Sequence, residues 1–319
     1  MTILQFKNQS VQKLSQTSPS PQLDLQVLME YCLDYTKTQL LLKKDEEIPE
    51  DKLKWLNNEV RLRSQGLPVA YITGHKEFYG YDFIVSPAVL IPKPDTEILV
   101  ERAVEIILEK MENRPDQLLT VCDMCTGSGC IGLSVMKTLL DVYKVPENRL
   151  PKFTLVDISA AALEITEKNI EHLDLPRDMI RVVRSNLFEQ FSGAFTSNRN
   201  GTTGWTFDVI LTNPPYIPHS LVEELLQDGR SEPRLALNGD ITSSGDPAQL
   251  QDGSLADDGL EIIRNLIPQA KTHLAPGGVI LMETGEYNAE ETARLAGSLA
   301  FRTQIHKDLE GQLRVVEMY

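Results

Sequence analysis

The chain has 319 residues, 31 basic against 46 acidic, and a net charge of −15. So acidic a chain is ill suited to gripping a phosphate backbone, which needs a basic face, and no direct nucleic-acid binding is expected. An apolar content of 41% supplies a buried core, and no apolar run is long enough to span a bilayer, so no membrane association is expected either.

The opening MTILQFKNQSVQKLSQTSPSPQ lacks an apolar signal core and reads as a polar, frayed start. Without an export signal, the four cysteines Cys32, Cys122, Cys125 and Cys130 are expected to be reduced, in a cytoplasmic monomer. Apolar residues then recur at spacings of three and four through residues 22–66, the mark of helices. Residues 1–70 are read as a small helical domain. Short runs of Gly, Pro, aromatic and β-branched residues follow, and 71–95 reads as a β-hairpin linker. TEILVERAVEIILEK resumes helical periodicity. From about residue 118 strand and helix signals alternate: LLTVCD, FTLVD, IRVVR, FDVILTN and GGVILME are strands, each but the third followed by a helix. Such alternation predicts an α/β domain over 96–319, with a mostly parallel, doubly wound sheet. The last two strands, RTQIHKD and LRVVEMY, have no helix between them and predict an antiparallel edge hairpin. Two polar, Gly/Ser-rich stretches, 192–205 and 238–259, read as inserted loops.

The first parallel strand runs into DMCTGSGCIG, where Gly127, Gly129 and Gly132 fit G-x-G-x-x-G between a strand and a helix. That turn suits an adenosine-bearing cofactor, and Asp157 at the end of the next strand suits its ribose hydroxyls. A dinucleotide and S-adenosylmethionine both fit. Asp123, just before the glycines, tips the balance: a carboxylate repels a pyrophosphate but attracts an ammonium and a sulfonium. Cys122 and Cys125 form C-x-x-C. Zinc wants a complete tetrahedral set, which is missing, and a redox motif opens a helix rather than closing a strand, so these thiols are read as packing side chains. No metal is expected.

The stretch DVILTNPPYIP ends a strand in Asn213, Pro214, Pro215 and Tyr216. In doubly wound sheets the carboxyl ends of strands hold the ligand. The Asn213 oxygen and the Pro214 carbonyl offer two acceptors to a planar –NH₂, and the Tyr216 ring a face to stack on it. Amide and exocyclic amine nitrogens are weak nucleophiles because their lone pair is delocalised. Two acceptors orient the lone pair and favour the positive charge that grows on nitrogen. His219 reads as a solvated loop residue. Asp95 and Glu97 read as the cap and first turn of the following helix. Glu283 borders either the site or a helix.

These residues carry a resemblance. The linker GLPVAYITGHKEFYGYDFIVSPAVLIPKPDTE, then TGSG, NPPYIP, RSEPRLAL and LAPGGVILMETGE resemble the HemK/PrmC family of peptide chain release factor N(5)-glutamine methyltransferases, over about residues 20–319. The resemblance implies a seven-stranded, Rossmann-like S-adenosylmethionine-dependent methyltransferase domain behind a helical domain that docks the protein substrate. It implies methylation of the glutamine in the Gly-Gly-Gln loop of class 1 release factors, with S-adenosyl-L-homocysteine as product. It carries cofactor contacts onto Cys125, Thr126, Gly127, Ser128, Gly129, Asp157, Asn186, Leu187 and Asn213, and the substrate amide onto Asn213, Pro214, Pro215 and Tyr216. Cys125 stands where a glycine is usual, Lys93 where Arg is frequent, Asn186 where Asp is common and Leu187 where an aromatic is frequent. Rival readings are a glutamine methyltransferase of a ribosomal protein and an adenine amino-methyltransferase on DNA, the latter disfavoured by the acidic charge. A dehydrogenase leaves NPPY unexplained, and a non-catalytic binding module leaves the glycine loop unexplained.

Overall fold

A computed structural model describes residues 1–191, 205–227, 231–242, 245–249 and 254–319. Most of the first predicted insert, 192–204, therefore lies outside the described residues. The chain groups into two compact units, Met1–His75 with Glu224–Ser231, and Lys76–Glu223 with Glu232–Tyr319. Among the described residues no helix is long and apolar enough to cross a membrane.

The first unit is helical: α1 (Ile3–Leu14), α2 (Pro21–Leu33), α3 (Lys37–Leu42), α4 (Glu50–Ser64) and α5 (Val69–Thr73). The opening is not frayed. Thr2 and Gln5 form a reciprocal capping box, and Ile3, Phe6 and Leu14 are buried on one side of α1. They join Leu25, Leu28, Met29, Leu56 and Val60 in a core. The polar residues that dominated the sequence impression occupy the exposed face of α1.

The second unit carries the hairpin β1 (His75–Phe78) and β2 (Tyr81–Ile84), then α6 (Glu97–Asn113), β3 (Thr120–Met124), α7 (Cys130–Asp141), β4 (Lys152–Asp157), α8 (Ala160–His172), β5 (Ile180–Arg184) and β6 (Phe207–Thr212). After α9 (His219–Gln227) and the short α10 (Arg234–Leu237) come α11 (Glu261–Thr272), β7 (Leu274–Glu283), α12 (Ala289–Ser298), β8 (Thr303–Lys307) and β9 (Leu313–Met318). The seven-stranded sheet runs β5-β4-β3-β6-β7-β9-β8. Five strands are parallel, while β9 is antiparallel to both β7 and β8. All six residues of β6 are buried, the expected state of a central parallel strand covered on both faces. One apolar cluster unites α6, α7 and the hairpin on one face; another unites α11 and α12 on the other.

Strand order reverses between β3 and β6. The chain winds outward from β3 through β4 to β5, then returns to lay β6 on the other side of β3, with Met124 opposite Thr212. A crevice opens at such a reversal. It brings the glycine loop after β3 and the Asn-Pro-Pro-Tyr tip after β6 side by side.

The second predicted insert is not a peripheral loop where it is described. Asn238 and Asp240 are fully buried, and Ile241, Ala248 and Ala256 nearly so. Asn238 forms a parallel bridge with Ile217, directly behind the β6 tip. Polar composition here reflects a buried hydrogen-bonded clasp, not solvent.

Candidate active site

Beyond β3 the chain folds back tightly. Cys125, Gly127 and Gly129 all have positive φ, at 60°, 59° and 83°. The turn is closed by Thr126 N donating to the Val156 carbonyl at 2.9 Å and Gly129 N to the Thr126 carbonyl at 2.8 Å. Gly132 is required for closeness: a Cβ there would sit 2.7 Å from Leu155 Cδ2 and 3.0 Å from Asp123 Oδ2. Cys125 occupies a left-handed position that favours glycine, at a cost of roughly 1–2 kcal/mol. Asp157, at the end of β4, braces the loop, its Oδ2 accepting from Gly127 N and its Oδ1 from Ser159 N, both at 2.9 Å. Each carboxylate oxygen retains a lone pair. Burial pushes the Asp157 carboxyl up.

Asp123 is placed differently from expectation. It is fully buried and does not line the cavity beside the loop. Oδ2 accepts from Thr126 Oγ1 at 2.6 Å and Gly132 N at 3.0 Å, while Oδ1 is buried without a partner. Burial raises its carboxyl to about 7. Asp123 therefore clasps the glycine loop to α7 from behind rather than offering a counter-ion to a ligand.

The cavity at the strand reversal has a volume of about 440 Å³, within the usual range for small-ligand pockets. Cys125, Thr126, Gly127, Ser128, Asp157, Asn186, Leu187, Asn213 and Pro215 line it; Gly129, the residue just before α7, does not. Leu187 also has positive φ, 46°, so its side chain is held in an unusual direction along the wall. Asn186 Nδ2 donates to Glu189 Oε1. Opposite stands a polar stripe of α11, with Glu261, Asn265 and Gln269 one helical turn apart. Sequence reading passed over that stripe because polar residues at such spacing are the ordinary signature of a solvated helix face. All three cysteines of this unit are free, and burial pushes their thiols up, which keeps them protonated and unreactive.

At the β6 tip, Asn213 reaches the cavity. Its Nδ2 donates to Thr96 Oγ1 at 3.5 Å, and its Oδ1 accepts no hydrogen bond among the described residues. Pro214 is buried and does not itself line the cavity, and its carbonyl likewise accepts none. Tyr216 does not face the cavity. Its ring belongs to the α11–α12 cluster, and its hydroxyl donates to Glu283 Oε1 at 3.3 Å. Its carbonyl accepts from Tyr287 Oη and Asn288 Nδ2, each at 3.2 Å. The expected stacking face is thus turned inward, and Tyr216 serves as an anchor that holds the two prolines in place. Thr96, whose hydroxyl receives Asn213, went unnoticed in the sequence because it reads as part of a helix start.

Asp95, Glu97, His219 and Glu283 do not line the cavity. Glu97 opens the first turn of α6 as expected, its Oε1 accepting from Tyr79 N at 3.1 Å, but Asp95 does not cap the helix and pairs with Arg314 at 3.2 Å. His219 is not a free loop residue either. It starts α9, with Nδ1 2.9 Å from Asn238 Nδ2 and its backbone N donating to Asp240 Oδ2 at 3.2 Å. Lys93 lines the cavity and donates to the buried Glu232 at 2.7 Å.

A seven-stranded sheet with one antiparallel strand near its edge, a glycine loop after its first parallel strand and an Asn-Pro-Pro-Tyr tip at the reversal define a methyltransferase of the Rossmann-like, S-adenosylmethionine-dependent class. Comparison with known proteins narrows this. Residues 6–74 match the PrmC N-terminal domain and residues 97–241 the methyltransferase small domain. A release factor glutamine methyltransferase of Clostridium acetobutylicum is 33% identical, over 92% of this chain and 89% of its own length. One of Moorella thermoacetica is 33% identical over 100% of this chain and 99% of its own. The chain belongs to the release factor glutamine methyltransferase family. A solved structure of the release-factor-specific protein-(glutamine-N5) methyltransferase of Alicyclobacillus acidocaldarius is 26% identical, covering 74% of this chain and 98% of that one, with a TM-score of 0.35.

Proposed function

We propose that this protein transfers a methyl group from S-adenosylmethionine to the side-chain amide nitrogen of the glutamine in a class 1 release factor's Gly-Gly-Gln loop, leaving S-adenosyl-L-homocysteine. The observation that carries the reading is the pair of uncommitted acceptors at the β6 tip, Asn213 Oδ1 and the Pro214 carbonyl, beside a cavity built on the glycine loop.

The cavity residues fit an adenosine-bearing donor. Asp157 would hold ribose hydroxyls with its remaining lone pairs, Asn186 and Leu187 line the same cavity, and the tight turn of Cys125 to Gly129 would let backbone approach the ligand. When bound, the donor supplies a methyl carbon activated by a sulfonium. The chain's own part is orientation. Two acceptors take the two amide hydrogens, which turns the nitrogen lone pair out of the hydrogen-bonded directions and toward the methyl. As the bond forms, positive charge grows on nitrogen and makes its hydrogens more acidic, so the same acceptors bind the transition state more tightly than the ground state. The methylated nitrogen then sheds a proton to water, and no strong base is needed.

The helical unit, matched by the PrmC N-terminal domain, is assigned to docking of the release factor. The acidic net charge supports a protein rather than a nucleic-acid substrate. The test is to incubate the protein with labelled S-adenosylmethionine and, separately, a release factor, its loop Gln→Ala variant, ribosomes and DNA. Label on the intact release factor alone supports the reading; label on ribosomes or DNA instead replaces it with the corresponding rival.

A further inference from the structure

One carbonyl oxygen at the β6 tip is held from several directions. The Tyr216 carbonyl accepts from two side chains of the turn between β7 and α12, Tyr287 Oη and Asn288 Nδ2, each at 3.2 Å. Gly259 packs against the same oxygen, where an added Cβ would sit only 2.1 Å away. One residue on, Ile217 is held at both backbone groups: its N donates to the Leu237 carbonyl at 3.0 Å, and its carbonyl accepts from Gly239 N at 2.9 Å. The two side-chain donors differ in burial. Asn288 is 2% exposed, whereas Tyr287 is 60% exposed. The Tyr287 ring lies against Gly285, whose added Cβ would be 2.9 Å from Tyr287 Cε1 and 3.3 Å from Tyr216 Cδ2.

Asn288 stands where an asparagine usually does something else. It is the residue just before α12, the position from which a side-chain oxygen normally accepts from the backbone of the first turn. Here it makes no such cap, and its Oδ1 is buried without a partner among the described residues. A carbonyl oxygen only accepts, so the –NH₂ end of the carboxamide must face Tyr216. The helix start forgoes its cap and a buried oxygen goes unpaired, both at a cost in stability, while a donor is brought to the β6 tip. Between the Pro214 and Tyr216 carbonyls lies Pro215, whose ring fixes φ. Few soft torsions separate the two carbonyls, so the tether at Tyr216 carries to the acceptor at Pro214 and to Asn213 beside it. We propose that Tyr287 and Asn288 are positioning residues that hold the acceptor pair of the β6 tip through the Tyr216 carbonyl. The inference rests on Asn213 and Pro214 acting as acceptors for the substrate amide.

Two readouts test this. The first needs no substrate. In protein labelled with ¹³C at its tyrosine carbonyl carbons, the Tyr216 resonance, identified by its loss in Tyr216→Phe, reports the hydrogen bonds that its oxygen accepts. Tyr287→Phe deletes only the hydroxyl of an exposed residue, and Asn288→Ser deletes the donor but keeps an oxygen able to cap α12. Each is expected to move the resonance to lower chemical shift. The second is kinetic. Each variant lowers kcat about tenfold and the double variant about 100-fold, with the KM for release factor and the affinity for S-adenosylmethionine within about threefold of parental. The Tm of Tyr287→Phe stays within about 2 °C of parental, so its lost turnover is not lost folding. A purely structural role for Asn288 predicts parental kcat in Asn288→Ser, since a capping oxygen is kept. The inference is overturned if the resonance stays in place in both single variants, or if the double variant turns over at the parental rate. If the parent methylates no release factor, the proposed function fails, and the resonance alone decides the inference: a shift in both variants supports the tether, and no shift removes it.

Discussion

Gly259 lies far from the glycine loop in sequence, yet the structure makes it a support of the amide site. It has φ of 72°, and its N donates to the buried Asp240 Oδ2 at 2.8 Å. A Cβ added there would sit 2.1 Å from the Tyr216 carbonyl oxygen and 3.2 Å from Ile217 C. Gly239 repeats the arrangement one layer on, where a Cβ would meet the Gly259 carbonyl oxygen at 2.3 Å. Three backbone segments are therefore stacked without side chains between them. Gly259→Ala forces the Tyr216 carbonyl back by roughly 1 Å to reach an ordinary contact distance. Tyr216 is two residues from Pro214, so the acceptor pair moves with it, and a displacement of that size is expected to lower kcat about 100-fold. The left-handed backbone adds roughly 1–2 kcal/mol of destabilisation, a fall in Tm of about 2–8 °C. The assay is methyl transfer to a release factor, with cofactor affinity by calorimetry. Because the glycine loop is separate, affinity should stay within about threefold while kcat collapses. Gly297→Ala is the control: a Cβ there meets nothing within 4 Å, and helix propensity favours alanine. Parental kcat and Tm in Gly259→Ala would refute the stacked-backbone argument.

Three further outcomes follow from the same geometry. Asn213→Ala should abolish transfer yet leave cofactor binding within about tenfold, since one neutral hydrogen bond is worth roughly 1 kcal/mol; equal turnover by the variant would remove the residue's assigned role. Cys125→Gly should raise stability by about 1 kcal/mol, by relieving a left-handed non-glycine residue, and a thermal melt with no increase would count against it. Asp123 sets a pH dependence of stability. Its folded carboxyl, at about 7, lies above the ordinary 3.8, so the folded chain holds this proton more tightly than the unfolded chain. Stability is full below the lower value and is lost as pH rises through about 7, by an amount on the order of 4 kcal/mol. Asp123→Asn should flatten unfolding free energy measured between about pH 5 and 8, and an unchanged slope there would refute the assignment.

Much of the site was legible beforehand, but unevenly. Gly127, Asp157 and Asn213 could be named because each sits in a local pattern, strand then tight turn, whose chemistry depends on neighbours in sequence. Asp123 and Tyr216 belong to the same patterns, yet their side chains point away from the cavity. Direction depends on what packs behind a strand end: α7 draws Asp123 inward, and Glu283 draws the Tyr216 hydroxyl. Thr96 was overlooked because its role exists only through Asn213, 117 residues away. The stretch around Asp240 was misjudged because buried hydrogen-bonded polarity and solvated polarity have the same composition.

The amino-acid sequence alone determined the alternation of strands and helices, the place of the glycine turn and the rigid acceptor tip, because periodicity and turn chemistry act over a few residues. The three-dimensional packing decided which polar groups face the ligand, which brace it from behind, and which glycines let backbone lie on backbone. Those outcomes depend on atoms that are distant in the chain and meet only when the sheet reverses its winding between β3 and β6.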